Sequence, residues 1–369
     1  MKRLFICVVG LVIAVTAWAR TFNMKELGAD PRGIESCTEL INQTIEKASS
    51  EGGGTIYFPA GVYLTATIYM KSNITLYVES GAVLRFSDRF EDYLPFVKIR
   101  WEGTVMNTLS PLIYAHDAEN LTITGRGTLD GNGFKWWSWE KETRELIKKN
   151  GGKLPALNKL QRMWEEANEE LEISDYYKPS LERRMFRPPF IQFYECNNVL
   201  IENVRIVNSP FWTINPAFCD NVTVHGVTIY NPSKDPKGPN TDGINPSSCR
   251  NVRISDCFIS VGDDCITIKS GRDADGRKYG KACENITITN CVMLSGHGGV
   301  VIGSEMSGGV ENIYMDNIQI GTVKNALYFK SNRDRGGYIR NIQVSNITIE
   351  RSKGAVLRFE TCLLYTSPS

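Results

Sequence analysis

The chain has 369 residues, 42% of them hydrophobic and 22% charged, an ordinary globular composition too apolar for a long disordered chain. Lys and Arg number 42 against 41 Asp and Glu, a net charge of +1. That balance argues against a polybasic nucleic-acid binder, whose phosphate contacts need a clustered positive excess.

The first element reads as an export leader. Lys2 and Arg3 precede an apolar or small stretch, Leu4 to Ala17, and Ala17-Trp18-Ala19 offers a cleavage site. This predicts a signal peptide over residues 1–19 and an exported protein, periplasmic or extracellular. The stretch is too short to cross a bilayer, and no other run approaches the roughly 18 apolar residues of a span, so no membrane anchor is expected. Without Lys2 and Arg3 the net charge becomes −1, so any charge selection must be local to a cleft. Of ten cysteines, Cys7 leaves with the leader. The other nine show no Cys-x-x-Cys spacing, which argues against zinc, and several sit in strand-like patterns as small buried hydrophobes. Their spacing does not determine a disulfide pairing.

Residues 36–48 predict a helix. Ser36 and Glu39 have capping-box spacing, and Leu40, Ile41, Ile45 and Ala48 share a face. A phrase then recurs, an Asn followed by alternating aliphatic and polar residues. It begins at Asn120, Asn198, Asn221, Asn251, Asn285, Asn312 and Asn341, with intervals of 23, 30, 34, 27 and 29 residues from Asn198 on. Self-similarity at this period signals a solenoid, and alternation within each unit signals half-buried strands. Turn residues divide the strands, and no helical pattern lies between them. The expected architecture is all-β, a right-handed parallel β-helix with one coil per repeat, the early helix covering its first coil. Asn-x-Thr matches within the phrase, such as Asn73 and Asn285, read as turn residues bonded locally rather than as glycosylation sites.

Residues 134–188 interrupt the repeat. Leu157, Leu160, Trp164, Ala167 and Leu171 are helically spaced among charges, which predicts an insertion of one or two helices. Trp136, Trp137, Trp139 and Trp164 suit either sugar stacking or the commoner task of docking a helix. One catalytic domain is expected over 20–361. Residues 362–369 do not complete the coil begun at Asn341 and read as a foreign tail on a shortened chain.

Four polar clusters fall at coil-like intervals. They are Asn240-Thr-Asp242, Gly262-Asp263-Asp264, Gly296-His297-Gly298 and Tyr328-Phe-Lys330. One coil apart, strands lie about 4.8 Å from each other, so these groups would crowd within roughly 15 Å on one face. Stacked carboxylates push at least one pKa upward, leaving a neutral acid beside an ionised base, which is what glycoside hydrolysis needs. Consecutive Asp263 and Asp264 reach one cleft only if a turn or bulge follows Gly262. A calcium site suits carboxylates, but His297 and Lys330 would be poor neighbours for it, so no metal is expected.

In this order and on this repeat, the motifs resemble glycoside hydrolase family 28, the polygalacturonases and their relatives. Gly28-Ala-Asp30, Pro59-Ala-Gly-Val-Tyr63 and Ser209-Pro-Phe-Trp212 extend the likeness from Phe22 to Phe359. The resemblance implies a cofactor-free, inverting hydrolase of α-1,4-galacturonan in pectin, and a monomer is the default expectation for the architecture. Asp263 would be the general acid, Asp242 and Asp264 would hold and deprotonate water, and His297 would keep the acid in its working state. Asn240 and Lys330 would bind substrate. Tyr328 stands where the family commonly has Arg, and Arg333 or Arg335 would have to supply that grip on a uronate carboxylate. The alternatives are an exo-acting or rhamnogalacturonan-type hydrolase, a pectate lyase on the same architecture, and a non-catalytic glycan-binding β-helix.

Overall fold

The computed structural model describes residues 20–152, 156, 158–171, 186–232 and 237–361. The expected leader, the tail 362–369, Leu157 and insertion residues 172–185 lie outside them.

The chain winds as a right-handed parallel β-helix. Each coil lays short strands into three parallel ladders. The first runs through Arg20–Asn23, Gly54–Phe58, Ile74–Val78, Glu119–Gly125, Asn197–Glu202, Asp220–His225, Arg250–Ser255 and Cys283–Thr289. The second runs through Arg32–Ser36, Gly61–Thr65, Ala82–Phe86, Thr128–Asp130, Arg205–Val207, Thr228–Tyr230 and Phe258–Ser260. The third joins Ile68–Tyr69, Ile113–His116 and Ile191–Tyr194 to Ile214, Ile244 and Ile266–Ile268. Farther on, Val292–Ile302 and Val310–Lys330 bend through the corners and serve more than one ladder.

Alternation explains the core. Leu121, Val199, Val222, Val252, Ile286 and Ile313 stack in register inside the first ladder, all buried, while their chain neighbours face outward. Full burial of each such side chain contributes roughly 1.5–3 kcal/mol. The coil corners carry the repeated Asn. Asn73, Asn120, Asn198, Asn221, Asn251, Asn285, Asn312 and Asn341 all have φ between 53 and 64°, a left-handed bend that Asn tolerates better than most residues. The expectation of local hydrogen bonds is corrected here. Their amides bond between coils, as Asn120 Nδ2 to Asn73 Oδ1 at 2.7 Å and Asn312 Nδ2 to Asn285 Oδ1 at 3.1 Å. Along most of the column each amide donor meets the amide acceptor of a neighbouring coil, while Asn251 donates to Asp220 Oδ1 at 2.9 Å instead.

Among the described residues eight cysteines are free and buried, and burial is what the strand-like patterns led the sequence reading to expect. Cys219 and Cys249 donate to the Phe193 and Pro216 carbonyls at 3.1 and 3.2 Å. No helix among the described residues is long and apolar enough to cross a membrane.

Helix α1 spans Thr38–Ser50 and buries Ile41, Thr44, Ile45 and Ala48 in the common core. It starts two residues later than expected, and the Ser36–Glu39 capping box does not form. Ser36 pairs with the Thr38 hydroxyl, and Glu39 accepts from Gln43. The insertion supplies α2 (Phe134–Lys149) and α3 (Lys159–Ala167), the latter capped reciprocally by Asn158 and Gln161. Its tryptophans dock the helices. Trp136 lies against Phe90 and Tyr93, Trp137 donates to the Ser209 carbonyl, and Trp164 stacks on Phe186. An antiparallel hairpin, Val97–Trp101 with Thr104–Thr108, was not legible in the repeat pattern.

Candidate active site

The third ladder builds the site. Ile244 pairs with Ile266, so Asp242 and Asp264 precede equivalent positions of adjacent coils, and Gly243 N donates to Asp264 O at 3.0 Å. On the following coil His297 N donates to Asp263 O at 2.8 Å. Asp263 and Asp264 lie in the irregular corner between Phe258–Ser260 and Ile266–Ile268, the turn that consecutive cleft-facing carboxylates require. Thr241 fastens two corners together, donating to Gly238 O at 2.7 Å and accepting from Gly262 N at 3.1 Å. Gly298 leaves room for the acid pair, since a Cβ there would stand 2.7 Å from Asp264 Oδ1.

His297 Nδ1 lies 3.0 Å from Asp264 Oδ1 and 4.0 Å from Asp263 Oδ1. Lys330 Nζ donates to Asp264 Oδ2 at 2.6 Å. Asp242 accepts at Oδ2 from Asn245 Nδ2 at 2.9 Å and from Thr267 at 3.4 Å. Asp263, Asp264 and His297 each offer an atom within 4.8 Å of the others, a donor set that could hold a metal ion. The Lys330 ammonium already occupies the Asp264 side of that set as its counter-cation.

These contacts split the carboxylates electrostatically. Burial and the adjacent Asp263 charge push Asp242 well above the usual range. Withdrawal from water and the Asp264 charge raise Asp263. Burial alone would raise Asp264, but Lys330 and His297 outweigh it and hold Asp264 well below the usual range. Lys330 is raised because Asp264 and Asp263 outweigh its own burial. The site thus holds an ionised carboxylate beside two that retain protons to higher pH.

The cleft encloses about 500 Å³. Asn240, Tyr328, Lys330 and Arg335 line it with the three aspartates and His297, whereas Arg333 is exposed and does not. Arg335 is committed to Asp273 at 2.9 Å, and Tyr328 donates to Glu360, so neither replaces a free guanidinium in simple fashion. Burial and the Glu360 contact push the Tyr328 phenol up to about 12. Sequence reasoning missed several lining groups. Lys269 and Arg272 grip Glu305 at 2.6 and 3.2 Å, Arg358 lies over Tyr328, and Glu102 enters from the tip of the hairpin. These residues stand outside the recognisable tripeptides. Only the alignment of Tyr328 with Arg358, one coil on, was readable from the period.

The pattern of glycosyl hydrolases family 28 matches residues 177–360, and that of rhamnogalacturonase A/epimerase, pectate lyase-like proteins matches 21–149. A probable polygalacturonase of Vitis vinifera is 30% identical over 93% of this chain, which spans 63% of the grape protein. An endo-polygalacturonase of Pectobacterium carotovorum is 28% identical over 95% of this chain and 80% of its own length. The crystal structure of a hyperthermoactive exopolygalacturonase from Thermotoga maritima is 37% identical, with a TM-score of 0.74, over 92% of this chain and 79% of that one. With this identity spread over nearly the whole β-helix, the chain belongs to glycosyl hydrolase family 28.

Proposed function

We propose that the protein is an exported, monomeric polygalacturonase that cleaves α-1,4-galacturonosyl linkages of pectin by single-displacement hydrolysis with inversion, without a cofactor. The observation that carries this reading is the opposed charging of adjacent groups. Asp264 is held ionised by Lys330 and His297, while Asp263 beside it is raised. Asp263 then serves as the general acid on the glycosidic oxygen. Asp264 and Asp242 hold the water, and Asp264, the ionised one of the pair, deprotonates it. Asp263 and Asp264 offer oxygens within 4.8 Å of each other, and Asp242 on the neighbouring coil supplies a third carboxyl for holding the water. His297 stands nearer Asp264 than Asp263, which favours its acting on the base as well as the acid. Lys330 and Asn240 contact substrate, and the paired charges Lys269 and Arg272 with Glu305, and Arg335 with Asp273, line the cleft beside them. That the grape, Pectobacterium and Thermotoga relatives are polygalacturonases supports the substrate class.

The test is incubation of the protein with polygalacturonate, followed by mass spectrometry. Products heavier by one water per cleavage are expected, and their sizes distinguish chain-end from internal attack. Unsaturated products would replace hydrolysis with a lyase reaction.

A further inference from the structure

We propose that Arg187 is a positioning residue that sets the polarity of the Asn240 amide and turns its N–H into the cleft as a hydrogen-bond donor to substrate. The inference rests on the polygalacturonase reading of the cleft.

Arg187 is 2% exposed and stands just before the third-ladder strand Ile191–Tyr194. Its guanidinium lies 5.0 Å from the Phe211 ring centroid. Nη1 donates to the Pro210 carbonyl at 2.9 Å and to the Pro239 carbonyl at 2.6 Å, and Nη2 donates to Asn240 Oδ1 at 2.7 Å. One side chain therefore clamps the backbone corners of two coils beside Asp242. Its three hydrogen bonds among the described residues all run to carbonyl or amide oxygens, and Glu140, Glu102 and Asp263 act on its charge only from farther away. Burial lowers its pKa to about 10, which leaves it charged at neutral pH.

A primary amide can present either end to a neighbour, but a guanidinium only donates. Asn240 must therefore turn its oxygen toward Arg187, and its Nδ2 faces the other way. Asn240 lines the cleft, and among the described residues its Nδ2 has no partner. Without Arg187 the amide could rotate and offer an acceptor instead. Against an acceptor-rich uronate the donor orientation is the useful one. Asn240 itself sits at φ 54°, so the backbone also holds it in place.

Kinetics on short galacturonate oligomers test this through a double-mutant cycle of Arg187→Met and Asn240→Ala. Arg187→Met alone should raise KM about tenfold, the loss of one substrate hydrogen bond, and should add nothing in the Asn240→Ala background. Asn240→Asp keeps the Arg187 contact as an ion pair. It should melt no lower than wild type yet raise KM at least as much. The proposal is overturned if Arg187→Met multiplies KM equally in both backgrounds, or if Asn240→Asp leaves KM unchanged. Should Arg187→Met fail to fold, Arg187→Lys takes its place in the cycle. A folded wild-type protein that leaves the polymer uncut overturns the polygalacturonase reading instead. Calorimetric oligomer binding by the same variants then decides the role of Arg187, and absence of wild-type binding overturns both.

Discussion

Asp263 and Asp264 are chemically identical neighbours, and their surroundings divide their roles. Asp264 is buried against two cationic or hydrogen-bonding partners, and Asp263 keeps a quarter of its side chain open to the cleft. Replacing Asp263 with Asn removes the transferable proton but little of the shape. The kcat should fall by at least about 100-fold, the low end of a general-acid contribution, while calorimetry finds oligomer affinity nearly unchanged. The Lys330 ammonium lowers the pKa of Asp264, so its removal must raise it. In Lys330→Met the acidic limb of the kcat profile should therefore move to higher pH, because the ionised base is lost sooner as pH falls. A pH–rate series on both proteins reads the shift, and an unmoved acidic limb would contradict the assignment of Asp264 as base.

At the scale of the element, the asparagine column does two jobs at each corner. It relieves the left-handed bend, and it continues a hydrogen-bonded line along the solenoid. Asn285 donates to Asn251 and accepts from Asn312. Asn285→Ala loses both bonds and adds about 1–2 kcal/mol of left-handed strain. Asn285→Gly loses the bonds without the strain. Thermal unfolding should rank the melting temperatures wild type, Gly, Ala from high to low, and equal losses would mean that backbone strain at the corner is negligible. The positions of these residues were legible in the repeat, but their partners were not. Local hydrogen bonding is the usual habit of a lone Asn in a turn. In a stack, the same amide finds an identical amide one coil away. The Ser36–Glu39 spacing misled for a related reason. Ser36 ends a second-ladder strand, so its backbone is spent on pairing with Leu64 rather than on capping α1.

Across the whole molecule, stability comes from columns of aliphatic side chains and small thiols sealed between coils. The eight described cysteines are buried, and none is joined to another among the described residues. A thiol reagent should leave them unmodified in the native protein, and denaturant should expose eight more reactive thiols than the folded protein shows, counted by mass spectrometry. Rapid native labelling of several would contradict this packing. The tryptophans of the insertion show the same economy of surface, since they bury aromatic area that fastens α2 and α3 to the solenoid.

The sequence by itself determined the architecture, the positions of the corner asparagines and the order of the acidic motifs. Each follows from a local rule, namely alternation for strands, the left-handed tolerance of Asn, and the period of the coil. Tertiary structure alone decided which groups meet. Loop length varies from coil to coil, so the interval between Asp264 and Lys330 does not announce a 2.6 Å contact. Arg187 reaches Asn240 from another coil, and Glu102 arrives on a hairpin that the repeat does not encode. Arg333 and Arg335, only two residues apart, part company because the short 3-10 turn at Arg333–Arg335 points one outward and buries the other against Asp273. Register between distant segments is set by packing and pairing along the whole solenoid, and that information is not local to any motif.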